Sequence, residues 1–148
     1  MAQWVIVNFR PVDFNAYGVI TVYDGKADHE GKFHATANNK YKTSKLESKA
    51  WGMYGASGII RFYDYDASIS NEYDHDGSEI VTLHYSSAYS GANTCELRDK
   101  TNPKKFELNS QWVKRTYEME ITSKGNTSSV GALGEIAVRI KATTYPAY

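Results

Sequence analysis

The chain is poor in the residues that staple or anchor a protein. Of its 148 residues, one is cysteine (Cys95) and three are proline. A single cysteine excludes an internal disulfide and any zinc site built from several cysteines. That sets aside the disulfide-stapled secreted scaffolds. No run approaches the roughly 18 apolar residues that a membrane-crossing helix needs. The opening "MAQWVIVNFRPVD" lacks a basic head and has too short an apolar stretch for a classical signal peptide. Excess charge is missing too: 17 basic residues balance 17 acidic ones, with a pI near 6.9. Neither a nucleic-acid partner nor a polyanionic tail is indicated. The expectation is a protein made soluble, then secreted or released, that meets any membrane from the water side.

What is present is aromatic and β-branched. Twelve Tyr, five Phe and three Trp make the chain 14% aromatic, and such residues favour strands. Trp4 to Phe9 is a near-continuous apolar run, suited to a strand buried on both faces or packed early in a sheet. "YGVITVYD" alternates and ends in the turn pair Asp24-Gly25. Residues 25–50 are polar and read as loops with one or two short strands. Leu46, Ala50 and Trp51 have helical spacing, but Gly52 and Gly55 make strand or loop the better reading for 45–54. "SGIIRFYDYD" and "EIVTLHYSSAY" read as one long hairpin, joined by the polar connector "ASISNEYDHDGSE" that ends in the hairpin signal Asp76-Gly77. "TCELRD" and "KFELN" are expected to pair across "KTNPK". "VKRTYEMEITS" and "GEIAVRI" alternate again, and 143–148 reads as a loose tail. Short strands with turn signals every 8–12 residues predict an all-β, single-domain, two-sheet antiparallel β-sandwich over residues 1–148.

No catalytic motif stands out. His29, His34, His75 and His84 fall in no HxxxH or HExxH pattern, so solvated or structural histidines are the simpler reading. "DYDASISNEYDHD" starts like a calcium loop. It has Ile69 where that loop needs Gly and His75 where it needs Glu, so Asp64, Asp66, Asp74 and Asp76 fit a solvated rim better. Ser57 lies outside a G-x-S-x-G turn, and Cys95 has no nearby histidine in sequence. Glu118 and Glu120 share a strand face, as two exposed residues would. The chain is therefore expected to be no enzyme and to use no cofactor.

The aromatics carry more. Trp4, Trp51, Tyr85, Tyr89 and Trp112 stand at expected strand ends or in loops beside Gly and Ser. Core packing is the ordinary explanation for any one of them. As a group they resemble an interfacial rim, because a Tyr or Trp ring is apolar while its OH or NH stays wet. The same rings suit stacking on sugars. Two readings follow: lipid recognition, or a lectin-like β-sandwich that binds carbohydrate.

Both ends of the sequence resemble one family. "SVGALGEIAV" is similar to the Gly-Ala-Leu-Gly ending of the aegerolysins, and "MEITSKGNTSSVGALG" extends the likeness upstream without a gap. "AQWVIV" is similar to the family's start. "DGKADHEGK", "GASGIIRFYD" and "HYSSAYSGANT" resemble its Gly-Lys turn, its Gly-x-x-Gly strand start and its aromatic hairpin tip. The resemblance implies an actinoporin-like β-sandwich that binds sphingolipid or glycolipid membranes and recruits a perforin-like (MACPF) partner, in some bacterial pairs against insects. It admits a homo-oligomer. Trp4 stands at the family's N-terminal Trp, and Tyr85 and Tyr89 stand where the family has hairpin tryptophans. Asp24, Tyr54 and Met119 replace other expected family residues. The expected lipid-binding set is Trp4, Trp51, Tyr54, Tyr85, Tyr89 and Trp112.

Overall fold

The computed structural model describes residues 3–27, 31–49, 54–70, 76–99 and 102–147. The first half of the chain gives β1 (Trp4–Val12), β2 (Ala16–Asp24), β3 (Lys26–Ala27), β4 (Gly31–Ala35), β5 (Tyr41–Lys42), β6 (Leu46–Glu47) and β7 (Ala56–Asp64). A short helix α1 (Tyr65–Ser70) follows, then β8 (Glu79–Ser87), β9 (Thr94–Arg98), β10 (Lys104–Leu108), β11 (Gln111–Ser123) and β12 (Gly134–Pro146). They form two sheets. The larger runs β10-β11-β12-β1-β6-β3, with β5 also paired to β1; the smaller runs β4-β2-β7-β8-β9. The expected β-sandwich is therefore present.

Alternation builds the core. Along β1, Val5, Val7 and Phe9 point inward while Trp4, Ile6 and Asn8 lie between them half-covered. The apolar run thus belongs to a strand buried on one face, not two. Ile136, Val138 and Ile140 of β12 join them, and Ile60, Phe62, Val81 and Leu83 of the smaller sheet close the layer. Each such aliphatic or aromatic side chain contributes about 1.5–3 kcal/mol by burial.

Several expectations need correction. The sandwich is not wholly antiparallel: β1 runs parallel to β12, from Val5 opposite Gly134 to Val12 opposite Lys141. β7 and β8 do pair, Ala56 opposite Ser87. The polar connector between them is partly helical, since it contains α1 and a 3-10 turn at Asp76–Ser78. β9 and β10 never pair; β9 extends the smaller sheet beside β8, and β10 edges the larger one beside β11. Residues 143–146 are not loose, because Thr143 to Pro146 continue β12 against Thr116 to Val113.

Asp64 is the largest reversal. It is fully buried, because Arg115 reaches it from the other sheet at 2.9 Å. The same guanidinium contacts Asp66 at 2.9 Å, and the Tyr117 hydroxyl donates to Asp64 at 2.5 Å. The backbone N–H groups of Asp66 and Ala67 donate to it as well. Burial pushes the Asp64 carboxyl above its ordinary value, against the pull of Arg115 and Tyr117. Burial, and then the Asp64 charge, holds the Tyr117 phenol firmly protonated. Asp64 is thus a fastener between the sheets, not a solvated rim.

Candidate functional site

The register brings several chain segments to one end of the sandwich. Trp4 opposes Glu47, Val5 opposes Gly134, and Asp24 opposes Ser57 beside Ala56 and Ser87. This loop end gathers the start of β1, the β2–β3 turn, the segment before β7, the β8–β9 loop and the β11–β12 loop. A neutral relay holds it. The Ser87 hydroxyl donates to Gln3 Oε1 at 2.6 Å, and the Leu133 N–H donates to Ser87 Oγ at 2.9 Å.

Asn93 pins two loops together. Its Nδ2 donates to the carbonyls of Asn126 and Gly131 at 2.9 and 3.0 Å, while its Oδ1 accepts from Ala88 N–H at 2.8 Å. Asn126 in turn donates to the Val130 carbonyl at 2.7 Å. Gly131 and Gly134 adopt φ of 86° and 78°, which residues with a Cβ rarely tolerate. The Gly-Ala-Leu-Gly stretch is therefore a shaped loop around the buried Leu133.

The expected site residues divide. Tyr54 and Tyr89 stand at the loop end, about half exposed (50% and 53%). Trp4 joins them half-buried, with the Lys45 ammonium 5.0 Å over its ring. Tyr85 does not belong: it is buried among the core side chains and packs over Gly58, where a Cβ would meet its hydroxyl at 2.6 Å. Trp112 is exposed but opposes Glu107 beside the far end of β12, at the other end of the molecule. Trp51 lies outside the described residues, as do His29, His75 and Asp74. Val130, 77% exposed on the β11–β12 loop, adds an aliphatic tip that the aromatic reading passed over. Its neighbours Ser128, Ser129 and Gly131 made the stretch look like plain turn sequence.

Burial, opposed by Lys124, pushes the Cys95 thiol up, so it is not an activated nucleophile. Among the described residues, no group of three or more His, Cys, Asp or Glu is placed to hold a metal ion. No helix among them is long and apolar enough to cross a membrane.

No protein-family model matches the sequence, and no curated protein does. Solved structures do match. IP-1A from Alcaligenes faecalis superposes with a TM-score of 0.59 at 16% identity, over 94% of this chain and 90% of that one. RahU, solved in complex with a TRIS molecule, gives 0.66 at 11% identity, over 97% of both chains. Both are aegerolysin-like β-sandwiches. At these identities the likeness is one of fold, and the fold of this chain is the aegerolysin-like β-sandwich.

Proposed function

We propose that this chain is the membrane-recognition component of a two-component, cytolytic pore-forming system. Its loop end binds a sphingolipid or glycolipid, and the bound chain recruits a perforin-like partner that inserts. The observation that carries this reading is the gathering of Trp4, Tyr54, Tyr89 and Val130 at one end of a rigid sandwich. Each half-exposed ring offers on the order of 100 Å² to bury, or about 2–3 kcal/mol at about 25 cal/mol per Å². Ordering costs reduce that sum, so recognition of a specific headgroup and assembly with a partner complete the affinity. The balanced charge gives no strong pull toward anionic lipid. No catalytic step belongs to this function.

The test is co-sedimentation with vesicles of varied sphingolipid, glycolipid and sterol content. Binding to one composition, without leakage of entrapped dye, is the expected result. Absence of binding to every membrane tried, target-tissue extracts included, would refute the lipid reading. Leakage caused by this chain alone would refute the two-component form.

A further inference from the structure

The outer face of the smaller sheet carries a cleft of about 650 Å³ that runs along the strands from Tyr23, next to the loop end, to Lys104. That size suits a small molecule, since ligand sites span about 300–1,000 Å³. Ile59 and Thr82, both buried, form its floor. Arg61 opposes Thr82 and His84 opposes Ile59, so strand pairing fixes Arg61 and His84 near each other on this face. A β-bulge between Val22 and Asp24 re-aims the chain at Tyr23, which lines the cleft while 66% exposed. Glu79, Asp99 and Lys104 complete the wall.

The chemistry of the wall narrows the ligand. Two cations, Arg61 and Lys104, face two carboxylates, Glu79 and Asp99, so the formal charges of the wall cancel. Lys104 is held by the Gly77 carbonyl, and Glu79 accepts from the Thr82 hydroxyl at 3.0 Å. The side chains of Arg61 and Asp99 make no ion pair or hydrogen bond among the described residues. The buried Nε2 of His84 has no hydrogen-bond partner there either. Burial, then Arg98, lowers the pKa of this imidazole, which therefore keeps both a donor and an acceptor at neutral pH. Unspent donors and acceptors in a charge-balanced cleft, with an exposed ring at its mouth, match a polyhydroxylated ring: hydroxyls bridge the polar groups and the C–H face lies on Tyr23.

We propose that this cleft binds a neutral sugar ring, without the help of Tyr54 and Tyr89.

The experiment is an NMR titration with free glucose, galactose, mannose and N-acetylglucosamine, with inorganic phosphate and glycine as ionic controls. We expect saturable shifts at Tyr23, Arg61 and His84 with at least one sugar, and none with the controls. Arg61→Gln and Asp99→Asn should each weaken binding about tenfold, the loss of one good polar contact. Both should fold normally, because Arg61 is not buried and Asn tolerates the left-handed backbone of Asp99 (φ 58°). Tyr54→Ser with Tyr89→Ser should leave the titration unchanged, and vesicles with and without glycolipid then separate a free sugar from a membrane-borne one. No saturable sugar binding, binding that survives both cleft variants, or saturation by phosphate or glycine instead would overturn the proposal.

Discussion

The two ends of this sandwich are fastened by different chemistry. At one end, Arg115 crosses from the larger sheet to Asp64 at the end of β7 and Asp66 in α1, with Tyr117 completing a buried charged cluster. At the other, the sheets meet through Gln3, Ser87 and Leu133, an uncharged relay supported by Asn93. A buried ion pair is costly to assemble and costlier to break, because a surviving partner is left charged in a low dielectric. A neutral relay loses less when one member goes. It also changes little when the surrounding dielectric falls. The end held by the neutral relay is the one that displays Tyr54, Tyr89 and Val130, which suits the membrane-facing role proposed for it.

The sharpest way to break the contrast is to cut each fastener. Arg115→Met strands Asp64 without its counter-charge and should cost about 3–5 kcal/mol in urea unfolding. Ser87→Ala removes a hydroxyl that both donates to Gln3 and accepts from Leu133, and should cost about 1–3 kcal/mol. Equal losses from the two variants would erase the distinction between the ends. A third comparison concerns function. Tyr54→Ser with Tyr89→Ser should change stability by no more than about 0.5 kcal/mol while cutting vesicle binding at least tenfold. Trp112→Ser, at the charged end, should leave vesicle binding intact; loss of binding there would move the membrane face.

The smallest effect belongs to neither end. The folded-state pKa of His84 lies below the ordinary 6.5, so the unfolded chain takes up its proton first as pH falls. Stability contributed at His84 is therefore full above pH 6.5 and declines as pH drops from there through the folded value. His84→Gln should flatten the stability profile across that window, measured by chemical denaturation at stepped pH. An unchanged slope would mean that the imidazole is not the titrating group.

Much of the fold was legible because it is local. Alternation marks β2, β7, β8, β11 and β12, and Asp24-Gly25 marks a turn. What could not be read is what depends on distant partners. Asp64 and Asp66 look solvated until Arg115, 51 positions from Asp64, reaches them. "TCELRD" and "KFELN" look like a hairpin, yet each finds a longer strand in a different sheet. The candidate site was legible in kind but not in membership. Tyr85 looked wet because Ser86 and Ser87 follow it, but Ser87 is itself buried, made soluble in the core by Gln3 and Leu133. Trp112 looked like one more rim aromatic because sequence does not tell which end of a sandwich a strand terminus occupies.

The parallel seam between β1 and β12 also governs how the chain folds. Asn8 donates to the Ile136 carbonyl across 128 positions of sequence, in the middle of the larger sheet. Nearly the whole chain must be synthesised before that seam can close, and the loop-closure entropy comes due before its contacts repay it. The smaller sheet, drawn from β2 to β9, suffers no such delay. Until β12 arrives, β1 keeps an unpaired backbone edge beside its apolar face of Val5, Val7 and Phe9, a stage exposed to aggregation.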